Sequence, residues 1–271
     1  MKGKSVHILL MLSVYFLLVT DVKSQDWESG ILAGASNYAG DFSYYPLLEE
    51  THPSFGVFLK KNLSSYISLD GSLNYGRISG NDQNLDYLNA RNLSFQSDIF
   101  EFSFQMEYNF FPFVIGMDAK NHTPFIFTGI SAFYFNPETE FEGETVELRP
   151  LKTEGQGLED GPSEYSKFSI AWPIGLGYRF DLQSNWILGL KAGVRISFTD
   201  YLDDVSGNYY PADVLEEEVG DLSAVLSDRS DDSNALGVAG KQRGSPLNTD
   251  YFMFARLAIS YQINNPECFE F

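Results

Sequence analysis

Apolar and polar side chains alternate with period two over long stretches of this chain, the pattern of β-strands with one greasy and one wet face. Residues 98–110 show it most fully. Phe100, Phe102, Phe104, Met106, Tyr108 and Phe110 fall on one side, and Glu101, Ser103, Gln105, Glu107 and Asn109 on the other. Residues 67–75 set Ile67, Leu69, Leu73 and Tyr75 against Ser68, Asp70, Ser72 and Asn74. Residues 186–198 carry Trp186, Leu188, Leu190, Val194, Ile196 and Phe198 opposite Gly189, Lys191, Gly193, Arg195 and Ser197. Residues 168–180 repeat the pattern from Phe168 to Phe180, with Arg179 on the polar side. Pro173 removes a ladder hydrogen bond and predicts a bulge or local break there. Weaker alternation predicts four more strands over 27–37, 54–63, 123–136 and 250–263. The pattern leaves open which face of the first and third of these points outward.

Eight strands define eight-minus-one connections of two kinds. Residues 38–53, 80–94, 137–165 and 201–249 are long loops, whereas 61–63 and 181–185 are tight turns and 111–122 is intermediate. Long loops at one end, short turns at the other and an even strand count characterise outer-membrane barrels. The expected fold is therefore all-β: an eight-stranded antiparallel transmembrane β-barrel with long extracellular loops, apolar faces toward lipid and polar faces toward the lumen. In the last loop, Asp213, Glu216, Glu217, Glu218, Asp221, Asp228, Asp231 and Asp232 form an acidic run expected to be solvated and mobile.

The N-terminus predicts a signal peptide over residues 1–24, leaving 25–271 as one barrel domain. Lys2 and Lys4 precede an apolar stretch from Val6 to Val19, and Val22 and Ser24 supply modest side chains before Gln25. Asp21 and Lys23 close that stretch before it reaches the length of a membrane-spanning helix. Cys268, the single cysteine, cannot form an internal disulfide. An aromatic content of 15% suits a barrel with aromatic girdles. The net charge is −19, and about −21 once the leader's basic excess is removed, which excludes nucleic acid as a partner because phosphate binding needs a basic surface.

The candidate chemistry is sparse. Asp70, Glu101 and Glu107 share polar faces with Arg179, Lys191, Arg195 and Arg256, and a lumen wide enough only for side chains should pair them into a structural plug. Asp200, Asp203 and Asp204 concentrate at the outer rim, with Glu154 able to join them from a neighbouring loop. Two readings stand: a calcium site, or the favoured one, carboxylates that cap backbone N–H groups. After the leader, His52 and His122 are the histidines, and they belong to opposite ends of the barrel, so a His-pair metal site is excluded. Ser54 lies near His52, a weak hint of nucleophilic chemistry against the simpler reading of an incidental surface histidine. Gly34 to Gly40 lacks the lysine and helix of a phosphate loop. No cofactor and no enzymatic activity are expected.

Five segments resemble the PorG-like outer-membrane β-barrel proteins of the type IX secretion system. They are GASNYAGD from Gly34, RNLSFQSDIFEFSFQMEYNFFPF from Arg91, LRPLKTEGQG from Leu148, FTDYLDDVSGNYY from Phe198 and RGSPLNTDYF from Arg243. TEGQG and TDYLDDVS are the specific ones. The resemblance implies an outer-membrane component of machinery that moves folded cargo to the cell surface, associated with a periplasmic ring of a lipoprotein and its partner. It brings no catalytic residues. The competing readings are a general OmpA-like structural or adhesive barrel, a small barrel enzyme acting on outer-membrane lipid, and a soluble lipocalin-like barrel with its apolar face inward.

Overall fold

Trp27 opens a strand whose last partner lies at the other end of the chain, and that pairing closes a barrel. A computed structural model describes residues 27–263 apart from 87, 116, 118–120, 231–235 and 247–248; the expected leader, its cleavage point and Cys268 lie outside the described residues. The barrel strands are β1 (Trp27–Ala39), β2 (His52–Asn62), β3 (Ile67–Asn81), β4 (Ser94–Asn109) and β5 (His122–Tyr134). A short hairpin follows, β6 (Pro137–Phe141) and β7 (Glu144–Glu147), and then the barrel resumes with β8 (Phe168–Asp181) and β9 (Trp186–Ser197). Two helices, α1 (Ala212–Glu218) and α2 (Asp221–Ser227), precede the closing strand β10 (Tyr251–Ile263). β1 pairs antiparallel with both β2 and β10, the ladder continues through β9, β8, β5 and β4, and β4 returns to β3. All eight expected strands are present, and the barrel is closed.

The facing follows the alternation. Phe100, Phe102, Phe104, Met106 and Tyr108 of β4 are exposed, whereas Glu101, Ser103, Gln105, Glu107 and Asn109 are buried inside. On β8 and β10 the same rule leaves Leu176 64% and Leu257 57% exposed on the outside, a burial pattern opposite to that of a water-soluble barrel around a ligand. Pro173 interrupts the β5–β8 ladder between the pairs Thr128–Ile174 and Ser131–Ala171 without shifting the register, so it marks a local break and no bulge.

β1 and β5, whose facing the pattern left open, are resolved by space. β1 turns Glu28, Leu32, Ser36 and Tyr38 inward. β5 turns Phe125, Phe127 and Phe133 inward while Ile126 and Ile130 stay outside, so both its faces are apolar. Those rings occupy room left by glycines: a Cβ added at Gly175 or Gly193 would lie 2.4 or 2.5 Å from the Phe127 ring.

β3 and β4 run further outward than expected, to Asn81 and back to Ser94, because the polarity code inverts there while the alternation persists. Ile78, Phe95 and Ile99 are buried inside, and Arg77 and Asp98 pair across the outer surface at 2.7 Å. The interior at this end is apolar and aromatic, with Tyr38, Phe42, Phe133, Phe135, Leu202, Leu226 and Phe252 in one core. The barrel thus carries a folded cap. The acidic last loop, expected to be solvated and mobile, is instead folded over much of its described length. α1 and α2 bury Leu215 and Leu226, and Ser227 Oγ donates to the carbonyl of Thr153 at 2.6 Å. Leu222 and Leu226, one turn apart within the acidic run, pack on the cap core. Asp231 and Asp232 lie outside the described residues.

Candidate functional site

Two polar layers lie along the barrel axis. The first fills the middle and the turn-side half of the lumen. Glu107 of β4 meets Lys60 Nζ at 2.8 Å, Lys191 Nζ at 2.9 Å and Arg179 Nη2 at 3.3 Å, so one carboxylate gathers cations from β2, β9 and β8. Lys191 also lies 3.7 Å from Asp70. Glu28 completes the layer, 3.6 Å from Lys60 and 3.9 Å from Arg179, and accepts a hydrogen bond from Ser260 Oγ at 2.7 Å. One step outward, Arg195 Nε lies 3.3 Å from Glu101. Arg256 departs from the expected charge pairing. Its Nη1 donates to Asn74 Oδ1 at 2.6 Å, Asn74 in turn donates to Glu101, and the guanidinium lies over the Phe254 ring at 4.4 Å.

All seven charged residues expected in the lumen lie there and are buried. Sequence reasoning missed Glu28 and Lys60. Glu28 sits on the strand whose facing was open, and Lys60 follows Phe58, an inward aromatic that blurs the alternation of β2. It also missed the aromatic lining. Lys191 Nζ is 4.5 Å from the Phe127 ring, and Arg179 lies 5.1 Å from Phe125 and 5.2 Å from Phe113, within cation–π range. Phe113 comes from the intermediate connection between β4 and β5, and its backbone N–H donates to Ser65 O at 3.0 Å. Interlocking charges and rings leave a central cavity of only about 20 Å³, room for a single water-sized occupant.

The second layer is the acidic cap. Asp200, Asp203 and Asp204 come together here with Asp41, Glu154 and Asp250, and each accepts at least one protein donor, although Asp200 Oδ1 is buried without one. Glu154 accepts the backbone N–H groups of Ser206 and Gly207 at 3.0 and 2.9 Å and pairs with Arg243 Nη1 at 3.2 Å. Asp203 accepts from the Val205 N–H at 2.9 Å and from the Tyr38 hydroxyl. Asp204 accepts from Thr153 Oγ1 at 2.5 Å and Tyr165 Oη at 2.7 Å, and Asp200 from Ser206 Oγ at 2.7 Å. Asp250 accepts the Leu202 N–H at 3.0 Å, and Asp41 the Ser245 N–H at 3.0 Å. Arg91 holds Asp82 with two hydrogen bonds of 2.8 and 2.6 Å. Asp203, Asp250, Asp41 and Glu154 thus cap backbone N–H groups, whereas Asp200 and Asp204 accept from side-chain hydroxyls; among the described residues no group of acidic, His or Cys side chains is arranged to hold a metal ion.

Burial dominates the electrostatics of the cap. It pushes the Asp41 carboxyl up to about 7, with Asp200 adding to the rise while the Ser245 N–H and Arg91 oppose it. Asp200 and Asp204 are each pushed up to about 6, the latter against the pull of Arg243. Asp203 and Asp250 are raised well above the usual carboxylate range by burial and by neighbouring carboxylates.

The histidines lie at opposite ends of the barrel, as expected, but Ser54 is not the serine that His52 meets. His52 Nε2 is 2.6 Å from Ser79 Oγ, not from Ser54, and the Ser79 hydroxyl also bonds Glu50. A carboxylate on the serine, in place of the far side of the imidazole, lacks the order a nucleophile needs. His122 lies at the turn end, 2.7 Å from the Tyr178 hydroxyl.

Fold and filled lumen together define a small barrel of the outer-membrane type. The chain belongs to the family described as a domain of unknown function, DUF6089, whose model matches residues 6–223. No curated protein sequence matches it. Among solved structures it is similar to Neisserial surface protein A, at 8% identity and a TM-score of 0.43, covering 88% of this chain and 97% of that one. It is similar also to the N-terminal β-barrel domain of Pseudomonas aeruginosa OprF, at 11% identity and a TM-score of 0.37, covering 89% and 100%. A third is OprG of Pseudomonas aeruginosa, at 9% identity and a TM-score of 0.37, covering 90% and 98%.

Proposed function

We propose that this protein is an outer-membrane barrel of the type IX secretion system that works by attachment, its turn end contacting the periplasmic ring of the machinery and its own lumen carrying no cargo. The filled lumen carries this reading: Glu107 with Lys60, Arg179 and Lys191, closed below by Phe113, leaves no path for a solute, let alone a folded protein. The outer membrane is the location the outward face supports. From Phe100 to Phe110, about ten residue rises of roughly 3.3 Å tilted by about 40° give an apolar height near 25 Å, the belt of such barrels. Arg77 and Asp98 sit just above that belt, and Trp27, Trp186 and Tyr261 ring its lower edge as interfacial aromatics do. The segments that resemble the PorG-like proteins come together in the cap, where Tyr38 donates to Asp203, Arg91 to the Arg243 carbonyl, and Arg243 to Glu154 and the Asp204 carbonyl.

The test is deletion of the gene with an assay of type IX cargo in the culture medium, paired with crosslinking from the turns at 63–66 and 182–185. Loss of cargo export and capture of a periplasmic lipoprotein support attachment; normal export removes the secretion role. A second reading, a structural or adhesive barrel acting through its surface loops, draws on the folded cap, whose groove between Tyr201, Tyr210, Pro162 and Pro211 opens outward. Cell adhesion that survives loss of the secretion genes would favour it.

A further inference from the structure

The outward wall of the barrel is not uniformly covered. At Gly71 of β3 the apolar face lacks a side chain, and the neighbours in register, Leu59 on β2 and Phe104 on β4, stand on either side of the gap. Leu73 and Phe102 continue the walls toward the cap, and the resulting groove has a volume of about 560 Å³. It ends at the turn side on Lys61 and Trp27, which pair across β1 and β2, with Lys61 Nζ 5.4 Å from the indole ring. Among the described residues Lys61 has no carboxylate partner, in contrast to the buried Lys60 beside it.

The geometry points to a binding site for one glycerophospholipid of the periplasmic leaflet, an acyl chain lying over Gly71 and the phosphate on Lys61. This inference rests on the membrane reading above. Its parts are ordered as such a lipid is. An apolar channel spans about 13 Å along the strand from Val57 to Lys61, and a lone cation beside an interfacial tryptophan marks the depth of the headgroups. A second barrel could also cover an apolar groove, but that would bury Lys61 without a charge to answer it. The cation therefore favours an anionic headgroup over a second copy.

The groove can be filled without disturbing the fold. A Cβ added at Gly71 meets nothing within 4 Å except the Leu59 carbonyl oxygen at 3.9 Å. Full-length protein extracted from vesicles of phosphatidylethanolamine and phosphatidylglycerol is compared by native mass spectrometry with Gly71→Leu, Lys61→Gln and, as a control on the outward face of β1, Ala33→Leu. Wild type and Ala33→Leu should retain one phospholipid, Gly71→Leu should lose at least tenfold of that occupancy, and Lys61→Gln several-fold. Equal occupancy in Gly71→Leu and Ala33→Leu, no retained lipid in wild type, or a dimer that Gly71→Leu abolishes would each overturn the site. Heat-modifiable gel mobility of the same vesicle samples separates the two levels. Wild type that inserts but holds no lipid defeats this inference alone, whereas wild type that stays soluble without detergent defeats the membrane reading as well.

Discussion

Arg243 donates from Nη1 to Oε1 of Glu154 at 3.2 Å, with both side chains buried and 89 residues apart in sequence. The same guanidinium donates to the carbonyls of Asp204 and Ser227, at 2.8 and 3.1 Å, so it joins three outer segments at once. Removing it leaves the buried Glu154 without its cation, held by the Ser206 and Gly207 N–H groups alone. Arg243→Ala should cost the cap about 3–5 kcal/mol, the usual penalty for breaking a buried pair from one side. Limited proteolysis should cut the loops at 200–250 far faster, while heat-modifiable mobility of the barrel is unchanged. Wild-type protease resistance would show that the pair does not hold the cap.

Glu107 is the corresponding centre of the lumen. Glu107→Gln keeps the volume but removes the carboxylate that Lys60, Arg179 and Lys191 share, leaving them only their longer contacts to Glu28 and Asp70. A loss of about 3–5 kcal/mol is expected in urea unfolding from vesicles. Asn109→Ala, which removes the hydrogen bond from Arg179 and one to the Ser65 carbonyl, should cost about 1–3 kcal/mol. An equal loss in both would argue against the charge-centred layer.

The cap should grow more stable as pH falls from 8 toward 5. Asp41, Asp200 and Asp204 stand at about 7, 6 and 6 when folded, against roughly 3.9 for an unfolded aspartate. The folded cap therefore binds more protons than the unfolded one across that interval, and stability falls as pH rises. Their contribution is complete below about pH 4 and is lost as pH passes through 6 to 7. Hydrogen exchange of residues 200–206 at several pH values reads this directly; protection that rises with pH would contradict the sign.

Reconstituted in planar bilayers, the protein should give no stable open channel, because the lumen is closed by Glu107 with its cations and by Phe113. A steady, sizeable conductance would overturn the plugged interior and the attachment role that depends on it.

Gly175 tests how the wall was built. Its Cβ position lies 2.3 Å from the Ala192 carbonyl oxygen and 2.4 Å from the Phe127 ring. Gly175→Val should abolish the heat-modifiable folded form on gels. Normal folding would mean that the inward rings of β5 have more freedom than their packing implies.

Alternation is a local property, so the chain alone could state which residues of β3, β4, β8 and β9 face lumen or lipid, and it assigned Asp70, Glu101, Glu107, Arg179, Lys191, Arg195 and Arg256 to the interior. The pattern weakened where both faces of a strand are apolar or small. Hence β1 and β5 stayed unoriented, Glu28 and Lys60 went unnoticed, and the outer ends of β3 and β4 were cut short where the polarity code inverts. Partner choice is non-local. Glu107 meets three cations because closure of β1 on β10 and β3 on β4 sets the register around the barrel. Arg256 finds Asn74, not a carboxylate, for the same reason. The acidic loop looked solvated as a string of charges, yet Leu215 and Leu226 among them need a surface to bury against, and tertiary structure supplies that surface as the cap.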